Sequence, residues 1–102
     1  MKFVFHIPLY KYKNSQLIRL EIDDLIDDLT EKFEDNGIIS FYMQIVKGYY
    51  KKRKYDSLLI TVFHLNDEIA SIFVDWFRKN NGVLMQEALA YEKDNDLIVI
   101  EL

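Results

Sequence analysis

The sequence predicts an α+β fold of βαββαβ order, and three observations lead there. Residues 20–35 and 67–80 repeat apolar side chains at the helical period. Residues 2–10, 38–47, 57–64 and the C-terminal run alternate at period two or are apolar throughout, as strands do. Asparagine and glycine fall between these stretches, where the chain must turn.

The first strand is expected over residues 2–10. Phe3, Phe5, Ile7 and Leu9 share one face, and Val4, His6, Pro8 and Tyr10 the other. Pro8 has no N–H to donate, so it belongs near the strand end. Residues 11–19 are expected to form a loop with Asn14 and Ser15 as turn formers, and Leu17 and Ile18 as a short extended piece. The first helix follows over 20–35, where Ile22, Leu25, Ile26, Leu29 and Phe33 make one face and Asn36-Gly37 the stop.

A second strand runs from Ile38 or Ile39 to about Lys47, with Gly48 marking a bulge or bend. A third spans 57–64. Leu58, Ile60 and Val62 face one way and Leu59 and Phe63 the other, the mark of a central strand covered on both sides. The second helix, 67–80, places Ile69, Ile72, Phe73, Trp76 and Phe77 on one stripe, with Asn66 or Asp67 as its cap and Gly82 as its end. Trp76 is expected to keep its N–H at the rim. Residues 83–91 fit a strand or a short helix, with the strand favoured. Residues 93–96 form a turn and 97–102 the last strand, so the final β element is expected as a hairpin.

Right-handed crossovers fold this order into an antiparallel sheet with both helices on one face and the strands in the order 4-1-3-2. That is the ferredoxin-like architecture, and 102 residues suffice for one such domain, residues 1–102. Two helices cover only one sheet face. The apolar residues on the other face predict a homodimer through that face or through the C-terminal strand.

Composition narrows the function classes. Half the residues are hydrophobic and 15% aromatic, so a folded chain is expected. There is no cysteine, which removes disulfides, thiolate metal sites and a cysteine nucleophile. No metal or cofactor is expected. The N-terminus lacks a signal-peptide pattern and no apolar run approaches a membrane span, so a soluble cytoplasmic protein is expected.

The net charge of −4 is unevenly spread. Residues 21–35 carry Glu21, Asp23, Asp24, Asp27, Asp28, Glu31, Glu34 and Asp35 against Lys32. Residues 47–55 carry Lys47, Lys51, Lys52, Arg53 and Lys54, interleaved with Tyr49, Tyr50 and Tyr55. Cations with aromatic rings suit phosphates and unpaired bases, but equally an acidic protein or a solvated hairpin tip. On the helix, Asp23/Asp27/Glu31 and Asp24/Asp28 are like charges four apart, a spacing that costs stability and suggests a basic partner, against the plainer reading of a solubilising face. His6 and His64 fall on strands expected to be neighbours and are read as satisfied sheet histidines rather than metal ligands. Gln86 and Glu87 interrupt an apolar segment, as a polar pair at the dimer interface or as exposed strand positions.

The run GYYKKRKYDSLLITVF at 48–63, followed by QEALAY at 86–91, resembles a pattern in small uncharacterised prokaryotic ferredoxin-like proteins. Gly48, Tyr49, Gln86 and Glu87 carry the match, which spans about two thirds of the chain. The resemblance implies the fold and no activity. The function expected is a non-catalytic homodimer that binds another macromolecule as a regulator or inhibitor, of the kind phages and mobile elements carry. Its contacts would be the basic turn 47–55 and the acids Asp23, Asp24, Asp27, Asp28 and Glu31. A nucleic-acid-binding module using the turn is the alternative. The third reading is a dimeric small-molecule enzyme with a cavity between sheet and helices, to which the sequence offers only His6, His64 and tyrosines.

Overall fold

The structure, a computed structural model, describes residues 1–50 and 52–102, with Tyr50 described by its backbone only. Among the described residues, seven strands and two helices follow in the order β1 (Lys2–Pro8), β2 (Tyr10–Lys13), β3 (Gln16–Arg19), α1 (Asp23–Asp35), β4 (Tyr42–Tyr50), β5 (Arg53–Phe63), α2 (Glu68–Leu84), β6 (Ala88–Lys93) and β7 (Asp96–Glu101). Five strands form one antiparallel sheet in the order β4-β5-β1-β6-β7, and β2 and β3 form a separate two-stranded sheet. An α+β chain with a five-stranded antiparallel sheet and two helices is consistent with a ferredoxin-like fold.

Strand alternation decides which face is covered. Phe3, Phe5 and Ile7 of β1 and Leu58, Ile60 and Val62 of β5 point toward the helices and are buried. Phe5 lies 5.5 Å from Phe33 of α1, 4.6 Å from Phe73 of α2 and 5.9 Å from Tyr91 of β6, centroid to centroid. One ring thus joins the sheet to both helices. Each such side chain, taken from water, contributes about 1.5–3 kcal/mol. Trp76 is buried rather than at a rim. Its indole N–H donates to the Leu25 carbonyl at 2.9 Å, so its polar edge locks α2 to α1 instead of reaching water.

Several expected boundaries move, each for a local reason. Residues 11–19 are not a loop but most of the β2–β3 hairpin. Asn14 and Ser15 both take positive φ (52° and 62°), the geometry of a two-residue turn whose twist matches its strands. Asp94 and Asn95 do the same between β6 and β7, where a hairpin was expected. The first helix starts at Asp23 rather than residue 20, because the Leu20 N–H is already held by the Leu9 carbonyl at 2.9 Å. Gly48 makes no bend and stays in ladder opposite Tyr55. The basic segment is mostly strand, since β4 runs to Tyr50 and β5 begins at Arg53. Gly82 does not end α2, which passes through it to Leu84 and stops where Met85 turns left-handed (φ 53°). Asp67 makes no side-chain cap; Asn66 Oδ1 instead accepts from the Glu68 N–H at 2.9 Å.

The centrality of Phe5 sets a quantitative expectation. Phe5→Ala should lower the unfolding free energy by about 3–5 kcal/mol, measured by urea denaturation. A loss below about 1 kcal/mol would show that the aromatic junction is not where the core is held.

Candidate functional site

The uncovered sheet face begins with the other side chains of the same strands. Val4, His6 and Pro8 of β1, Ser57, Leu59 and Thr61 of β5, and Ala88, Ala90 and Glu92 of β6 point there by register. His6 Nε2 donates to Glu92 Oε2 at 2.9 Å, and both side chains are about one-third exposed. His64 stands apart at the end of β5, where its Nδ1 accepts from the Asn66 N–H at 3.1 Å. The two histidines do not share a site. No group of three or more His, Asp or Glu side chains capable of holding a metal occurs among the described residues.

Where this face reaches the end of β1, the chain leaves the sheet as the β2–β3 hairpin and folds beside β5. The result is a cleft of about 410 Å³. Tyr10 and Tyr12 of β2, Tyr55 of β5, His6 of β1 and Glu87 supply its polar groups; Pro8, Leu17, Ala88 and Ala90 supply apolar wall. Phe77 of α2, Met85 and Leu89 complete the lining, so the cleft lies at the end of the sheet, bordered by side chains of the uncovered face on one side and by the end of α2 on the other.

Two polar contacts tie the hairpin to the rest of the chain. Gln86 Nε2 donates to the Tyr10 carbonyl at 3.0 Å and to the Leu84 carbonyl at 2.7 Å. The Gln86 backbone is gripped in turn by Asn81, whose Oδ1 accepts from the Gln86 N–H and whose Nδ2 donates to its carbonyl, both at 3.0 Å. Asp56 is paired with Lys47 of β4 and lies 3.7 Å from Arg19 of β3, so one carboxylate joins both hairpins. The Asp56 hydrogen bond and its charge hold the Lys47 ammonium above its ordinary pKa. Arg19 also lies over the Tyr10 ring at 5.3 Å.

The residues expected to bind partners are dispersed. Lys47 is spent on Asp56. Tyr49 is largely exposed, with Lys54 Nζ 5.9 Å from its ring. Lys52 and Arg53 are exposed at the hairpin tip. Lys51 and the Tyr50 side chain lie outside the described residues. Of the described residues of that segment, only Tyr55 enters the cleft. Asp23, Asp24, Asp27 and Glu31 are exposed on α1, and Asp28 is 3.5 Å from Lys32. Gln86 is not an exposed strand residue, since β6 begins at Ala88; its side chain tethers the hairpin. Tyr10, Tyr12, Glu87 and Glu92 were missed as site residues. The alternation of β1 exposes His6, but nothing local announces its partner.

No family model matches the chain, and no curated protein matches it. Solved structures do. A phage SAM lyase in complex with S-methyl-5′-thioadenosine aligns over 99% of this chain and 88% of its own, with a TM-score of 0.64 and 15% identity. The apo state of a phage SAM lyase aligns over the same shares with a TM-score of 0.59 and 17% identity. At such identity the likeness is one of fold. It corrects the expectation of a non-catalytic regulator or inhibitor, because the chains that share this fold almost end to end are an enzyme. Among the described residues, no helix is long and apolar enough to cross a membrane.

The tether makes a separate prediction. Gln86→Ala leaves the Tyr10 carbonyl without its donor and should cost about 1–3 kcal/mol. Amide hydrogen exchange over residues 10–19 should speed up more than exchange in β1 and β5. Equal protection of the hairpin in both proteins would remove Gln86 from this role.

Proposed function

We propose that the chain is a small-molecule enzyme of the SAM lyase kind, with its substrate in the cleft between the β2–β3 hairpin and the uncovered sheet face. The observation that carries the reading is the cleft itself: apolar walls with a few convergent rings and polar groups, the usual make-up of a small-ligand site. The shared fold supports the reaction class.

SAM, S-adenosylmethionine, is a sulfonium cation attached to a nucleoside. Tyrosine rings attract such a cation through their electron-rich faces, at about 0.5–2 kcal/mol each. When the C–S bond to the amino-acid side chain breaks, its electron pair returns to sulfur and the positive charge there is lost, while an oxygen of the substrate's own carboxylate bonds to the carbon left behind and closes a lactone, so no further reactant is needed. Surroundings that hold the cation by charge alone stabilise the starting state more than the transition state. The ring faces serve binding of the cation, whereas the apolar wall of Pro8, Leu17, Ala88 and Ala90 favours the loss of charge, since a neutral thioether is better accommodated there than a sulfonium. The Glu87 carboxylate at the same cleft is suited to the substrate's ammonium group. Glu92 keeps the His6 ring oriented at the wall.

The domain assignment and the homodimer belong to the same reading. Residues 1–102 act as one ferredoxin-like domain, and a second copy covers the remaining apolar side chains of the open face. Tyr42, Phe63, Leu97 and Val99 are each more than half exposed there.

Incubation of the protein with SAM should release S-methyl-5′-thioadenosine, followed by chromatography. Ala90→Phe fills the cleft from the uncovered face and should reduce release by at least about 10²-fold. Absence of any product from the wild-type chain would overturn the reading. Light scattering at micromolar concentration should give the mass of two chains, and the mass of one chain would overturn the dimer.

A further inference from the structure

Gly48 stands in the middle of β4, opposite Tyr55. Its φ is not in the left-handed region, so the backbone does not require glycine there. The space does. A Cβ on Gly48 would lie 2.5 Å from Tyr55 Cζ, 2.7 Å from the hydroxyl oxygen and 2.8 Å from Cε2. These near-equal distances place that missing methyl over the face of the ring at its phenolic end, not at its edge. The Tyr55 ring therefore lies flat on the β4 backbone, one face against Gly48. Glycine within a strand commonly marks such a close approach.

A ring seated in this way has its second face turned away from the sheet, and Tyr55 borders the cleft. We propose that Gly48 is a positioning residue, and that it lays Tyr55 down as a stacking platform for a planar aromatic ligand group, a nucleobase. This rests on the cleft being a nucleoside site, as proposed above. Gly48 touches no ligand and acts only through the Tyr55 ring. Any larger residue at 48 would tilt the ring off the sheet and into the space the base would occupy.

The test uses the whole chain as Gly48→Ala, Tyr55→Ala, Tyr55→Phe and the Gly48→Ala/Tyr55→Ala double variant. Proton NMR reads the seat without any ligand. The Gly48 Hα resonances should be shifted upfield by the ring current in the wild type and in Tyr55→Phe, and return to ordinary positions in Tyr55→Ala. Unshifted Gly48 resonances in the wild type would overturn the inference whatever the chain binds.

Affinity is then measured for S-methyl-5′-thioadenosine and for 5-methylthioribose, which lacks the base. Gly48→Ala and Tyr55→Ala should each weaken the nucleoside by about tenfold, while Tyr55→Phe keeps it. In the double variant, Gly48→Ala should add nothing to Tyr55→Ala, because the ring it positions is gone. The base-free sugar should bind alike to all variants. Unchanged nucleoside affinity in Gly48→Ala, or additive losses in the double variant, would overturn the positioning role. A wild-type chain that binds neither probe would overturn the nucleoside site and the stacking role together, leaving the ring's seat to be judged by the NMR result.

Discussion

Phe5 is where the sheet and both helices meet, and the rest of the molecule follows from that junction. Its strand is the middle of five, and its ring reaches Phe33 and Phe73 at once. A strand has only two faces, so committing Phe3, Phe5 and Ile7 to the helices commits Val4, His6 and Pro8 to the other side. Both helices are spent on the first side. The second side is therefore covered only where other parts of the chain can reach it.

The β2–β3 hairpin is the part that reaches. It leaves β1 directly after Pro8, which can donate no further ladder bond. Leu9 and Leu20 anchor its base in the core, and polar contacts fix it further out: Gln86 on the Tyr10 carbonyl, and Asp56 between Lys47 and Arg19. A space held open by polar contacts at its edges remains a cleft, whereas one lined by large apolar residues would collapse. The small side chains of Ala88 and Ala90 have the same effect from the floor.

Periodicity alone made both helices, the long central strands and the C-terminal hairpin legible. The stripes through Leu29 and Phe33 and through Phe73, Trp76 and Phe77 are all buried. It failed where tertiary bonds override local preference. Gly82 looks like a helix end, yet α2 passes it because Asn81 holds the next connection through Gln86. Asn14-Ser15 reads as a loop unless both residues are taken left-handed together. The charged segments drew attention because charge is easy to see in a sequence. The cleft is lined instead by tyrosines, one histidine, Glu87 and apolar side chains that lie far apart along the chain.

By itself the sequence determined both helices, the strands of the main sheet, their order and most of the side chains that form the core, because these depend on spacing along the chain; the β2–β3 hairpin was not among them. Only the tertiary structure decided the site. His6 meets Glu92, and Tyr55 meets Gly48, through strand register, which aligns residues distant in sequence and leaves no local pattern. The direction in which the hairpin folds is likewise fixed by Gln86, some 76 residues from the carbonyl it holds.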